Sequence, residues 1–267
     1  MTSLWARSRG VVGKAVRRIR PEREAGDPPP PVALPPELAT LTEREREIVD
    51  ITLQHSITSR ERIVALLDAV RYCVDRNVPG AFAECGVWRG GSIMAMIYAL
   101  QDLGRDDVDI YLYDTFEGMT PPTEVDTSPV DRSAMEWWAE AEGTEHRAFP
   151  HFFDPDVFNE DMVRRNVLGT GYPAERLHFV RGRVEDTLPE KAPEQIALLR
   201  LDTDWYESTR HELIHLYPRL SAGGVLIIDD YGHWEGCKRA VDEYFATDAE
   251  PLLLSRIDYT GRIGIKH

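Results

Sequence analysis

Disulfide and thiolate chemistry are the first things this sequence lacks. Its three cysteines, Cys73, Cys85 and Cys237, are odd in number, widely spaced and form no Cys-x-x-Cys pair. That excludes a disulfide framework and a thiolate metal site, and it fits a reducing compartment. Basic charge is scarce as well. The chain has 31 Lys and Arg against 46 Asp and Glu, a formal charge of −15, which excludes a general nucleic-acid binder with a broad basic face. No apolar run reaches the roughly 20 residues of a bilayer span, and no signal-peptide core follows the early arginines. A soluble, cytoplasmic protein with no membrane partner is expected. The dinucleotide signature GxGxxG is also missing. What is present is 267 residues with 42% hydrophobic content, enough for one large α/β domain with a substantial core.

The strongest signal is carboxylate at the ends of two apolar runs. Leu198-Leu199-Arg200-Leu201 breaks at Asp202-Thr203-Asp204, and Gly223-Gly224-Val225-Leu226-Ile227-Ile228 stops at Asp229-Asp230. Short apolar runs bounded by turn signals read as buried strands of a parallel sheet. Between them, Leu213, Ile214, Leu216, Tyr217 and Leu220 fall at helical spacing. A strand-helix-strand unit makes the strands parallel and puts both carboxyl ends at one edge, where open α/β sheets bind ligands. A single strand-end acid often just caps the next helix. Four together repel one another unless a cation or raised pKa values relieve them. A hard-cation site is therefore expected, with Mg2+ ahead of Ca2+ or Mn2+ for an all-carboxylate donor set.

The second signal is Ala81-Phe82-Ala83-Glu84-Cys85-Gly86, followed by Val87-Trp88-Arg89-Gly90-Gly91-Ser92. A short strand ends in an acid and passes through a glycine-rich turn into a helix carrying Ile93, Met94, Met96, Ile97 and Leu100. Gly86 would let a ligand approach the backbone closely, and Gly90 and Gly91 relax the turn. Glu84 stands where a dinucleotide site has its first glycine, and it favours a cationic group. The helix N-terminus favours an anion, so a zwitterionic amino acid suits both. Val108 to Tyr113 reads as the next strand, ending in Asp114, where such folds place an acid against ribose hydroxyls.

Glu84-Cys-Gly-Val-Trp-Arg-Gly-Gly-Ser92, Tyr113-Asp-Thr-Phe-Glu-Gly-Met119, Leu201-Asp-Thr-Asp-Trp-Tyr-Glu-Ser-Thr209 and Gly223-Gly-Val-Leu-Ile-Ile-Asp-Asp-Tyr231 together resemble the macrocin O-methyltransferase family, over about residues 40–267. The resemblance implies S-adenosylmethionine- and Mg2+-dependent methylation of a sugar hydroxyl on a glycosylated small molecule, such as a macrolide or aminocoumarin. It implies that Asp202, Asp229 and Asp230 bind the metal and that Asp204 is the general base. It also implies that Glu84, Gly86, Ser92 and Asp114 surround the cofactor, with Cys85, Thr115, Gly182 and Asp202 added as further cofactor contacts. Gly182-Arg183-Val184 departs from the family pattern, in which an aromatic follows the glycine.

The rest of the chain frames these motifs. Residues 1–23 hold seven Lys and Arg against one acid, and Pro28–Pro31 with Pro35-Pro36 form a stiff connector, so 1–36 reads as a basic, Pro-rich arm before a domain over 37–267. Thr42 three residues before Glu45 is a capping box. A second helix starts near Thr58 or Ser59, with Ile63, Leu66, Leu67, Val70 and Val74 on one stripe. These two helices must cover the sheet flank or a partner subunit, and a homo-oligomer is expected. Residues 120–172 read as a lid-like insertion, with Trp137 or Trp138 a candidate to stack on a sugar or aglycone. Leu177 to Val180 reads as a strand, with an adenine ring at Gly182 to Asp186. Glu235 to Phe245 reads as a helix with Ala240, Val241, Tyr244 and Phe245 inward, and Leu252–Leu254 with Arg262–Lys266 as an antiparallel hairpin. The fold class expected is therefore α/β, a seven-stranded, mostly parallel Rossmann-like methyltransferase sheet with one reversed strand.

The chemistry asks for little beyond these groups. An alcohol is a poor nucleophile until its proton is removed. A divalent ion stabilises the alkoxide, and Asp204 takes the proton. His233, just after Asp230, is a candidate second base, whereas His211 and His215 read as helix-surface groups. Two other readings stay open: a nucleotide-sugar glycosyltransferase using the Asp202-x-Asp204 pair, and a non-catalytic protein that binds the cofactor.

Overall fold

Alternate residues of one strand feed two separate cores. In the computed structural model, which describes residues 38–141, 153–154 and 156–267, Leu198 joins one apolar cluster and Leu199 the other. This is the period-2 result of a strand covered on both faces. Five parallel strands, β1 (Ala81–Cys85), β2 (Ile110–Asp114), β3 (Leu177–Arg181), β4 (Ile196–Leu201) and β5 (Leu220–Ile228), are followed by β6 (Ser255–Arg256) and β7 (Arg262–Ile265). Their order across the sheet is β3-β2-β1-β4-β5-β7-β6, and β7 runs antiparallel to both its neighbours. The expected sheet, with its single reversed strand, is the one that forms. Winding changes direction between β1 and β4, and an open α/β sheet places its crevice at such a point.

Helices α1 (Glu43–Thr52) and α2 (Arg60–Asp75) pack on the sheet flank. Their Ile48, Val49, Ile63, Leu66 and Val70 share a cluster with Ile93, Ile97 and Leu100 of α3 (Gly91–Asp102) and with Phe82 of β1. The capping box at Thr42 is reciprocal: its hydroxyl accepts from the Glu45 amide at 3.2 Å, and Glu45 accepts from the Thr42 amide at 2.7 Å. Ser59 caps α2 in the same way by accepting from the Arg62 amide.

Between β2 and β3 lie α4 (Ala134–Ala141) and α5 (Glu160–Leu168). The α5 residues Val163 and Val167 are fully buried in the first core, so this end of the supposed lid is the crossover helix that two parallel strands require. Trp137 packs against the second core with the Arg132 guanidinium 4.1 Å from its ring. The basic arm and most of Phe149–Phe153 lie outside the described residues.

Among the described residues the remaining α-helices are α6 (Val184–Thr187), α7 (Tyr206–Leu216) and α8 (Glu235–Thr247). Two details differ from the sequence reading. The α7 helix ends at Leu216 in a 3-10 turn through Pro218, and Ile214 is 40% exposed because Thr209, Glu212, Leu213 and Leu216 form the buried stripe. Leu252–Leu254 is not a strand. Leu252 and Leu254 pack sideways on the second core while Leu253 faces solvent, and the hairpin pairs through Ser255 and Arg256 instead. Among the described residues no helix is long and apolar enough to cross a membrane.

Candidate active site

The backbone ladder continues past the strand ends and sets the site. The Gly86 amide donates to the Tyr113 carbonyl, Asp202 to Cys85, Asp229 to Leu201 and Gly182 to Asp114, all at 2.8–3.0 Å. The first residue after each strand therefore stands beside its neighbour along one edge. Gly86, at φ +80°, shows how closely the backbones approach: a β-carbon there would sit 1.9 Å from the Asp202 carbonyl oxygen. Only glycine fits.

Asp202, Asp229 and Asp230 each offer a carboxylate oxygen, and the three atoms lie within 4.8 Å of one another. Burial, opposed by the Arg200 guanidinium and reinforced by Asp202, pushes Asp229 up to about 6. Burial and then Asp204 push Asp230 well above the usual carboxylate range. Three carboxylate oxygens gathered this closely are hard donors that fit a divalent cation, which would relieve their repulsion. Two arginines already meet this cluster, and the sequence reading missed both. Arg200 is buried and bonds Glu84, Asp202 (2.6 Å) and Asp229. Arg62 bonds Asp229 and pairs with Asp258 at 3.0 Å. The signal for Arg200 was a charge inside an otherwise apolar strand, in register with Glu84.

Asp204 is the fourth acid. Its backbone is left-handed, at φ +67°, its amide donates to Asp230 and its carboxylate accepts the Trp234 indole N–H at 2.8 Å. Burial, then Asp202, raise its pKa to about 8. It does not cap α7: the Tyr206 amide donates to Asp126, 80 residues earlier, at 2.8 Å. Beside it, His233 meets the Tyr259 hydroxyl through Nδ1 at 3.0 Å, and burial lowers its pKa.

A cavity of about 430 Å³ joins these groups. Asp202, Asp204, Asp229, Asp230 and His233 line it, as do Gly86, Asp114, Thr115 and Gly182. Glu84, Cys85 and Ser92 do not; all three are buried behind the wall. Burial raises Glu84 to about 8 against the pull of Arg200, and its Oε2 has no hydrogen-bond partner. Asp114 spends both oxygens on the backbone, accepting from Val87, Trp88 and Phe116, and so holds the glycine turn. Its burial raises it to about 6 despite those bonds. His211, His215, Trp137 and Trp138 are not in the wall.

The sequence profile of the family described as Macrocin-O-methyltransferase (TylF) matches residues 39–263. The chain belongs to that family. This macrocin-type O-methyltransferase is 38% identical over 199 residues to the 8-demethyl-8-(2,3-dimethoxy-alpha-L-rhamnosyl)-tetracenomycin-C 4'-O-methyltransferase of Streptomyces olivaceus, covering 73% of this chain and 70% of that one. It is 34% identical over 192 residues to the demethyldecarbamoylnovobiocin O-methyltransferase of Streptomyces niveus, covering 72% and 68%. Among solved structures, the O-methyltransferase NovP superposes with a TM-score of 0.66 at 31% identity, covering 79% of this chain and 82% of that one. The glycosyltransferase reading of Asp202-Thr203-Asp204 falls with this result: the enzyme is an O-methyltransferase.

Proposed function

We propose that this enzyme methylates a sugar hydroxyl of a glycosylated small molecule, with S-adenosylmethionine as donor and Mg2+ at the aspartate cluster. The observation that carries the reading is the convergence of Asp202, Asp229 and Asp230 within 4.8 Å, beside Asp204, in one cavity. The Streptomyces olivaceus relative acts on a rhamnosyl-tetracenomycin, and a Micromonospora griseorubida relative, 32% identical over 201 residues, on mycinamicin III; the rhamnosyl group supports a glycosylated acceptor. When bound, the donor supplies an activated methyl group and the cation supplies Lewis-acid stabilisation of the developing alkoxide.

The chain's own residues do the rest. Asp202, Asp229 and Asp230 would hold the cation, while Arg200 pairs with both Asp202 and Asp229 and so fixes their positions. Asp204, fixed by the Trp234 indole, accepts the hydroxyl proton. The cavity aligns methyl and oxygen, which is most of what an SN2 transfer needs. The test is methyl transfer from labelled S-adenosylmethionine to a panel containing mycinamicin III and demethyldecarbamoylnovobiocin, with and without chelator. Label in an acceptor sugar, lost with chelator and restored by Mg2+, is expected. Full activity after exhaustive chelation removes the metal role, and label elsewhere than on a sugar removes the acceptor class.

A further inference from the structure

Residues 202–204 connect β4 to α7, and each of the three is tied to a different part of the fold. The Asp202 amide donates to the Cys85 carbonyl of β1 at 2.9 Å, and the Asp204 amide donates to the Asp230 carboxylate at 3.3 Å. Thr203 is tied to the helix. Its carbonyl accepts from the Trp205 amide at 2.7 Å and from the Ser208 hydroxyl at 3.2 Å, and its own hydroxyl donates to Glu212 at 2.9 Å. Glu212 stands about two turns into α7. Helical side chains lean toward the helix N-terminus, so one as long as glutamate reaches back to the connection. The methyl of Thr203 faces the other way: a β-carbon built on Gly86 would lie 3.4 Å from it.

A carboxyl is costly at this place. Glu212 is fully buried, beside the Cys85 thiol and on the same helix face as Leu213 and Leu216. Its Oε2 has no hydrogen-bond partner, and burial pushes its pKa well above the usual carboxylate range. Packing alone would favour an apolar side chain there. The connection carries a second cost. Asp204 has a left-handed backbone at φ +67°, and outside glycine that conformation persists only where the surroundings over-determine it. The bond from Glu212 to Thr203 is a restraint on the adjacent residue, and any rotation at 203 would turn the aspartates on both sides.

We propose that Glu212 is a positioning residue: through Thr203 it straps the β4–α7 connection to the helix, so that Asp202 and Asp204 both present to the cavity. Glu212 itself is not in the cavity wall. What the two aspartates then do, metal binding and proton removal, rests on the reading above.

One readout needs neither metal nor substrate. The Trp234 indole N–H donates to Asp204 at 2.8 Å, so its proton–nitrogen cross-peak, assigned by its loss in Trp234→Phe, reports where Asp204 stands. The second readout is Mg2+ affinity by calorimetry. Thr203→Val keeps the shape without the hydroxyl, and Glu212→Leu removes the acceptor. Each is expected to move the cross-peak and to weaken Mg2+ about tenfold, the worth of one hydrogen bond. The double variant should lose little more than either single one, because both remove the same contact. Glu212→Gln keeps an acceptor oxygen and should stay within about threefold of wild type. Chemical denaturation separates positioning from support: Glu212→Leu should be at least as stable as wild type while its Mg2+ affinity falls. An unmoved cross-peak in Thr203→Val overturns the proposal, whether or not Glu212→Leu folds. Additive losses in the double variant overturn it as well, as does Glu212→Gln behaving like Glu212→Leu. A cross-peak that moves as expected in a protein that binds no Mg2+, wild type included, supports the strap and removes the metal reading.

Discussion

At the scale of single residues, neighbouring acids in one motif have different work. Asp202 joins the carboxylate cluster and pairs with Arg200, while Asp204, two residues on, is held by an indole N–H and by its own left-handed backbone. Asp204→Asn is nearly isosteric but cannot take a proton. Turnover should drop by about 10²–10⁴, the usual share of general-base catalysis, with Mg2+ and S-adenosylhomocysteine affinities kept. Asp202→Asn should instead weaken Mg2+ binding, and extra Mg2+ should partly restore turnover. Steady-state kinetics over a Mg2+ series, with calorimetry, check both; near-normal turnover in Asp204→Asn would move the base to His233. The aspartates were legible in the sequence because they end apolar runs. Arg62 was not, since its partners Asp229 and Asp258 lie on other elements far along the chain.

At the scale of elements, the strands and their turns were legible and the ties between them were not. β1, β4 and β5 announced themselves as short apolar runs stopped by acids or glycine, a pattern that depends on local composition alone. The start of α7 depends on a distant residue. Asp126 is fully buried and accepts from Tyr206 at the helix start, and from the amide and hydroxyl of Thr123 at 2.7 and 2.9 Å. No local capping pattern marks it. Asp126→Ala should lower unfolding free energy by about 1–3 kcal/mol, from a lost cap and stranded donors, as read by chemical denaturation. The misread hairpin strand has a related cause: three leucines look like a strand, but side-chain packing claimed two of them and left the ladder to Ser255 and Arg256.

At the scale of the whole molecule, the crowded acids make stability depend on pH in an unusual direction. Glu84 and Asp204 are raised to about 8 and Asp230 is raised well above its ordinary value, burial being the first cause in each. In the unfolded chain carboxylates titrate near 4. Between these limits the folded, cation-free protein keeps protons that the unfolded chain has released, so its stability falls as pH rises toward 8. The partly buried histidines His55, His215 and His233 are lowered and act in the opposite sense, but only up to about their ordinary value of 6.5. The raised thiols join in only above about 8.5, the ordinary cysteine value. The window from pH 7 to 8 therefore isolates the acids. A bound cation needs the ionised carboxylates, so its stabilisation should grow with pH in the same window. Thermal unfolding in chelator should show a lower midpoint at pH 8 than at pH 7, by about 3–6 °C for each carboxyl that stays protonated across that window, taking one pH unit as about 1.4 kcal/mol per proton. Saturating Mg2+ should remove most of that difference. A flat profile in chelator, or an equal Mg2+ increment at both pH values, would mean that these aspartates are fully ionised without a cation and that the cluster is not under the strain its geometry implies.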